Sequence, residues 1–255
     1  MKHTAMKMMT VALLVATFLS CKKDKDTPAP SGRFYGPAQT LGAGKVKAYV
    51  TINPAGEPTE IGAVISDEAM NSLPAGHSML NYVLELPAIG LAKTPFKFVG
   101  LDYNPHGHEP DGIYNIPHFD FHFYKTTNAE RLNITPGDPK LNIFPDPAYI
   151  PAAHFPGGGV PQMGNHWIDP TSPELNGQPF TTTFIYGSYN GKVTFMEPMI
   201  TVDFIKSHDH FHAPIKQPTK FSPAGYYPTA YSVHHNEDEK QYEISMESFV
   251  ARTAN

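Results

Sequence analysis

The stretch from His118 to Tyr124, with the sequence HFDFHFY, alternates polar and aromatic side chains and limits what this part of the chain can form. In an extended strand successive side chains point to opposite faces, so His118, Asp120 and His122 share one face. Three phenylalanines share the other face. The alternation therefore predicts a strand with one face in the core and one face that carries chemistry.

Histidine and aspartate on one face of a strand are typical of divalent metal sites, because imidazole nitrogens and carboxylate oxygens both donate lone pairs near neutral pH. In a regular strand the Cα atoms of His118 and His122 are roughly 13 Å apart, near the limit that two imidazoles can span to one ion. All three residues can share one ion only if a bulge shortens the strand or one residue acts without touching the metal. We expect His118 and His122 to be ligands and Asp120 to support them.

The remaining ligands must come from other segments. His166 lies beside the only tryptophan, after a stretch rich in proline and glycine that returns the chain over the sheet. Glu197 is a single carboxylate in an apolar strand, where a buried charge is costly unless it is paired or binds a metal. We expect both residues to be ligands of a divalent ion, with zinc as the expected metal. For any one histidine taken alone, a structural role is the alternative.

A second histidine segment, HGHE at residues 106–109, precedes the turn signal Pro110-Asp111-Gly112. This turn can fold the segment back toward the strand, so we expect His108 to be a further ligand and His106 a supporting residue. The alternative is a polar loop whose histidines face water. A third set, His208 to His212, is expected to form a surface loop outside the main site, with an auxiliary metal site as the alternative.

Residues 1–20 have the pattern of a signal peptide, with a basic start and an apolar run shorter than the roughly twenty residues that span a membrane. Residues 18–21, FLSC, resemble the lipobox of bacterial lipoproteins. The resemblance implies cleavage before Cys21, lipidation of Cys21 and anchoring in the bacterial cell envelope, with the outer membrane as the more expected location and the domain in the periplasm or at the cell surface. The alternative is an ordinary secretory signal with an incidental cysteine.

Residues 21–32 are charged and then rich in proline and serine, which predicts a flexible tether. The 26 prolines and 20 glycines break helices, whereas 13 tyrosines and 16 phenylalanines suit strands. We therefore expect residues 33–255 to form one mainly β domain of antiparallel sheets, sandwich or barrel-like, with long Pro/Gly-rich loops and little helix. The net charge of −5 argues against nucleic acid as a partner.

Alternating segments and turn signals predict three hairpins. They join residues 46–52 to 59–65, 181–189 to 192–205, and 231–235 to 241–250, the second through Asn190-Gly191, a pair that favours a type I′ turn. Further strands are expected at 78–86 and 96–103, a short helix at 67–72, and a helical turn at 128–132. Residues 134–162 are expected to form a long ordered loop or lid, and Pro198 suggests that Glu197 lies on an edge strand or at a bulge.

Four segments, PHFDFHFY, MGNHWID, TFIYGSYNGKVTFMEPM and YYPTAYSV, together resemble a family of uncharacterised exported bacterial proteins that share a domain of unknown function. The resemblance runs from about Tyr103 to Arg252. It implies a β-rich fold, and the positions that it marks within the shared motifs are His118, Asp120, His122, His166 and Glu197. Looser similarities to α-type carbonic anhydrases and to cupins do not supply the third ligand or the motif spacing of those families.

Two classes of function follow from these patterns. One is a metalloenzyme, a hydrolase or lyase, whose ion keeps an open position and activates water. The other is a noncatalytic envelope protein that binds a ligand or another envelope component, as a monomer or an oligomer, with a structural metal or none. An ion that has an open coordination position and lies in a cleft favours the first class. An ion that is fully ligated by the protein under the sheet favours the second.

Overall fold

The computed structural model describes residues 30–255. The predicted signal peptide, the predicted lipidation site at Cys21 and most of the predicted tether lie outside the described residues. Strand β1 (Gly32–Tyr35) begins at the last residue of that tether. Within residues 30–255, the helices are too short or too polar to cross a bilayer.

The other strands of the described chain are β2 (Gln39–Leu41), β3 (Gly44–Ile52), β4 (Pro58–Ser66), β5 (Leu80–Glu85), β6 (Phe98–Asn104), β7 (His118–Tyr124), β8 (Phe155–Val160), β9 (Gly164–Ile168), β10 (Thr182–Tyr189), β11 (Lys192–Thr201), β12 (His210–Pro214), β13 (Gly225–Tyr227), β14 (Ala230–Asn236), β15 (Gln241–Glu247) and β16 (Val250–Arg252). The α-helices are α1 (Asp67–Met70), α2 (Ala88–Lys93), α3 (Asn128–Leu132) and α4 (Val202–Ser207). Short 3-10 turns lie at Pro139–Asn142, Pro147–Tyr149 and Pro173–Asn176.

These strands form two seven-stranded sheets and one small pair. The first sheet has the order β1-β3-β4-β15-β14-β12 with β2 attached to β3, the second has the order β5-β6-β7-β11-β10-β9-β8, and β13 pairs with β16. The pairings within both sheets are antiparallel. The edge strands are β1 and β12 in the first sheet and β5 and β8 in the second. The prediction of a mainly β fold of antiparallel sheets is confirmed, with a sandwich-like arrangement.

The core lies between the two large sheets. Phe119, Phe121 and Phe123 of β7 are fully buried and belong to one apolar cluster with residues of the first sheet such as Ile61 and Val233. The strand alternation that places these rings inward also places His118, Asp120 and His122 on the opposite face. The outer face of the second sheet therefore carries the polar residues that the sequence singles out.

The structure forms the three predicted hairpins. β3 pairs with β4, β10 with β11, and β14 with β15. Asn190 and Gly191 both have positive φ values, 49° and 75°, as a type I′ turn requires. Helix α1 begins at the Ser66 cap, whose side chain accepts a hydrogen bond from the backbone of Ala69.

Two predicted loops and one predicted strand end are wrong in part. The predicted loop at 134–162 contains β8, whose glycines pair with β9 at the edge of the sheet. The predicted surface loop at 208–212 contains the start of β12, which pairs with β14 at the edge of the first sheet. The long strand predicted to reach Ile205 ends at Thr201, because the Thr201 side chain accepts a hydrogen bond from the Phe204 amide and starts α4.

The prediction that Pro198 marks an edge strand is also wrong. β11 is the central strand of its sheet, between β7 and β10. Its register with β10 shifts at Gly187 and Ser188, far from Pro198, although its pairing with β7 is interrupted between Met196 and Met199. The shift leaves one extra residue before Phe195, so Val193 packs against the inner core whereas Phe195 lies with Tyr124 and Phe98 in a separate apolar cluster.

Candidate metal centre

A cleft with a volume of about 960 Å³ lies over the outer face of the second sheet. Its floor includes side chains of β6, β7, β9 and β11. Its borders come from the β6 to β7 loop, which contains the HGHE segment, and from the glycines of β8. The antiparallel order brings these distant segments of the sequence together at one place.

Three of the predicted ligands, His122, His166 and Glu197, form what we call the central group. Their candidate donor atoms lie within 4.8 Å of one another. His122 Nε2 is 3.3 Å from one carboxylate oxygen of Glu197, and His166 Nε2 is 3.6 Å from the other. The side chains of His122 and Glu197 are almost fully buried, whereas that of His166 is 15% exposed.

Burial controls the protonation of the central group. It lowers the pKa of His122 to about 3 and that of His166 to about 4, so both rings are neutral at physiological pH. Burial, together with the charges of Asp120 and Asp102, raises the pKa of Glu197 well above its ordinary value. The group thus contains two neutral imidazoles and a carboxyl group whose ionised form is destabilised by burial and by nearby negative charge. A divalent cation stabilises such a set.

Four polar atoms of the central group lack hydrogen-bond partners in the protein. Both ring nitrogens of His122, the Nδ1 atom of His166 and one carboxylate oxygen of Glu197 are buried without a hydrogen bond to the protein. Buried polar atoms are normally hydrogen-bonded, and exceptions require an explanation such as an ion. The imidazole and carboxylate donors fit zinc and related divalent ions.

Asp102 of β6 is a site residue that the sequence reasoning missed. Its Oδ2 atom lies 3.5 Å from Nδ1 of His122, and burial followed by the charge of Asp120 raises the pKa of Asp102 to about 7. A carboxylate behind a metal-binding histidine is a common way to orient the ring. The signal was present, because Asp102 is a lone carboxylate in an apolar strand, the same signal that identified Glu197.

The other predicted residues form what we call the lateral group, His108, His118 and Asp120, which also lie within 4.8 Å of one another. Nε2 of His118 is 3.1 Å from Asp120 Oδ1, and Nε2 of His108 is 3.5 Å from Asp120 Oδ2. Burial acts against the charge of Asp120, but the two neighbouring histidines outweigh it and hold the pKa of Asp120 below the ordinary range.

The structure therefore divides the predicted single ligand set into two groups. β7 pairs with β6 continuously from His118 to Tyr124, so the strand contains no bulge that could bring His118 and His122 to one ion. Asp120, expected to support the ligands from behind, faces the two lateral histidines. His106 is not part of either group, because it is exposed and stacks on His77 with ring centroids 5.0 Å apart.

Phe195 packs against the central group, with its ring centroid 4.9 Å from that of His122 and 5.2 Å from that of His166. Gly187 makes room for this ring, because a Cβ atom at position 187 would lie 2.0 Å from it. We expect Gly187→Ala to lower the free energy of unfolding by about 2 to 3 kcal/mol through overpacking, and to weaken metal binding by displacing both histidines.

Urea unfolding and metal titration of the full chain measure both effects. Gly76→Ala is the matched control, because a Cβ atom there would meet nothing within 4 Å. Equal stability and equal metal affinity of the Gly187→Ala and Gly76→Ala variants would contradict the packing role assigned to Gly187.

Residues 54–103 match the family described as TTHB210-like, hypothetical protein TTHB210. The matched segment runs from the β3 to β4 turn into β6, and it includes Asp102 but no histidine of either group. Comparison with curated proteins and with solved structures finds no match. The chain is therefore similar, over a segment shorter than half its length, to a family of uncharacterised proteins.

Proposed function

We propose that this protein is an exported, lipid-anchored enzyme of the bacterial cell envelope, a hydrolase or lyase that uses one divalent ion at the central group. One observation carries the proposal. Unpartnered donors of His122 and Glu197 converge with the His166 ring at the floor of a cleft of about 960 Å³. A cleft of this size admits a small molecule or part of an envelope polymer.

Three protein ligands suit a catalytic ion better than a structural one, because structural zinc usually has four. The fourth position would hold water, and a bound zinc ion lowers the pKa of that water to about 7. His166 is the partly exposed member of the group and lines the cleft, so a substrate in the cleft would meet the open side of the ion. Asp102 would orient His122 from behind.

The alternative is a noncatalytic envelope protein with a structural ion. The near-complete burial of His122 and Glu197 favours this role. The two proposals differ in whether the ion has an exchangeable coordination position.

Cobalt substitution of the full chain tests this difference. If the ion is open, an added small anion such as azide should change the visible spectrum of bound Co²⁺, and a panel of ester, phosphoester and peptide substrates should reveal metal-dependent activity that His122→Ala abolishes. His106→Ala is the control, because it changes a neighbouring cleft histidine outside both groups. An unchanged spectrum would support the structural role, and a chain without bound metal would exclude both.

The lipid anchor is tested separately. Cys21→Ala should abolish lipid labelling and leave the precursor unprocessed by the lipoprotein peptidase, because the cysteine thiol is the acylation point that the lipobox implies. Metabolic labelling with a fatty acid, followed by membrane fractionation, measures both effects. Normal processing and membrane partitioning of Cys21→Ala would show that the anchor is of another kind.

A further inference from the structure

We propose that the lateral group, His108, His118 and Asp120, binds a second divalent cation in the same cleft. This inference goes beyond the proposed function, since it rests on residues outside the central group and does not require that the central ion be catalytic. The ligand it would take is a cation that accepts imidazole and carboxylate donors, such as Zn²⁺, Co²⁺ or Mn²⁺.

Backbone contacts fix the orientation of both lateral histidines. Nδ1 of His118 lies 2.7 Å from the carbonyl oxygen of Ile116, and Nδ1 of His108 lies 2.6 Å from that of Glu109. A carbonyl only accepts hydrogen bonds, so each Nδ1 must carry a proton and donate it. In a neutral ring Nε2 is then the lone-pair nitrogen, and a backbone carbonyl that holds the other nitrogen is the usual arrangement behind a metal-binding histidine.

The lone pairs of both rings therefore face the carboxylate of Asp120. Neutral His118 has no proton on Nε2 to donate to Asp120 Oδ1, although the two atoms are 3.1 Å apart. Asp120 Oδ1 is accordingly a buried oxygen without a hydrogen bond. The other oxygen, Oδ2, accepts a hydrogen bond of 2.8 Å from Asn104 Nδ2. Asn104 Nδ2 also lies 3.5 Å from His118 Nε2. The lone pairs of His118 Nε2, His108 Nε2 and Asp120 Oδ1 still repel one another, and a cation between them would remove this repulsion.

Protonation of the rings is a poorer explanation of this geometry. A proton on Nε2 of His108 alone would face Asp120 Oδ2, 3.5 Å away, and would leave Oδ1 facing the lone pair of His118. His118 is completely buried, and two imidazolium rings would bring two positive charges to a single carboxylate. The uncompensated charge would be costly in the interior. A divalent ion instead keeps both rings neutral, uses the free oxygen of Asp120 and stays reachable from the cleft, because the His108 side chain is 40% exposed.

The two proposed ions would lie on the same face of one strand. Asp120 and His122 are two residues apart on β7, so their Cα atoms are separated by roughly 7 Å. The described residues that line the cleft include no lysine or arginine. The two ions would therefore supply the positive charge of the cleft and could contact different oxygens of one anionic ligand.

Metal counting on the full chain tests the second site. Metal analysis after zinc loading and removal of excess should give two equivalents in the unaltered chain, about one in His118→Phe, about one in His122→Ala and none in the double variant. His118→Phe replaces the ring with another aromatic side chain, beside Phe180, whose centroid is 5.4 Å away. His106→Ala, in the same loop as His108, should keep two equivalents.

The outcomes separate this inference from the proposed function. One equivalent that survives His118→Phe and disappears in His122→Ala would overturn the second site and leave the central one. One equivalent lost in both single variants would indicate a single shared ion and overturn the inference. One equivalent lost only in His118→Phe would leave a single ion at the lateral group and overturn both the pair of ions and the proposed function.

A measurement on the unaltered chain covers the case in which a variant does not fold. Titration with Co²⁺ should give visible absorption that rises through two equivalents, with different spectra for the first and second. Saturation at one equivalent, or at none, would overturn the proposal without any substitution.

Discussion

Glu197→Gln should weaken metal binding at the central group by at least about 100-fold, beyond the 10- to 100-fold typical of an outer partner of a ligand. The same substitution should stabilise the metal-free chain at pH 8. The amide has the shape of the carboxyl group but never ionises, whereas Glu197 is buried beside Asp102 and Asp120 and its pKa is raised. At pH 8 the folded chain must either keep a proton on Glu197 or bury its charge, and removing that cost should contribute about 2 kcal/mol or more. Calorimetric zinc titration and urea unfolding with a chelator measure the two effects.

Glu197→Gln is expected to lower the metal affinity but to raise the stability of the metal-free chain, and this combination makes the prediction specific. Glu174→Gln is the matched control, because Glu174 is also buried but accepts a hydrogen bond from Tyr114 Oη and lies outside both groups. We expect the control to bind zinc like the unaltered chain. A Glu197→Gln variant that binds zinc normally would show that Glu197 is not a ligand. One that loses both zinc and stability would indicate a structural role for its charge.

The metal-free chain should lose stability as the pH rises above about 6.5, and saturating zinc should remove this loss. The folded-state pKa of Glu197 is raised well above its ordinary value and that of Asp102 is raised to about 7, so both carboxyl groups bind protons more tightly in the folded chain. Each carboxyl group contributes stability that is fully present below the pKa that the group has in the unfolded chain. This stability is lost as the pH rises through the pKa that the group has in the folded chain. The loss is about 1.4 kcal/mol per pH unit for each carboxyl that is still protonated.

The histidines act in the opposite direction at lower pH. The pKa values of His122 and His166 are lowered to about 3 and about 4, so their contribution is present above the ordinary histidine pKa and is lost as the pH falls through those values. Urea unfolding with a chelator between pH 5 and 8.5 should therefore show a decline only on the alkaline side that zinc suppresses. Glu197→Gln should reduce that decline, and an unchanged decline would assign it to other groups.

Much of the local structure could be predicted because it depends on neighbours in the sequence. The alternation in HFDFHFY determines which side chains of β7 face the core, whatever the partner strand is. Asn190 and Gly191 tolerate positive φ, and they place the β10 to β11 hairpin correctly. The β8 strand was missed because its glycines carry no strand signal of their own and are held by pairing to β9.

The sequence predicted residues that the structure brings together in the cleft, but it missed Asp102 and did not predict how the residues are grouped. The sequence by itself determined that His118, Asp120 and His122 share one face and that a lone buried carboxylate such as Glu197 needs a partner, since both follow from strand periodicity and the cost of burying charge. Only the tertiary structure decided how the ligands divide. The unbroken pairing of β7 with β6 keeps His118 and His122 too far apart for one ion, and the strand order brings His166 to one end of that face and His108 to the other. Such groupings depend on contacts between residues distant in the chain, which no local pattern specifies.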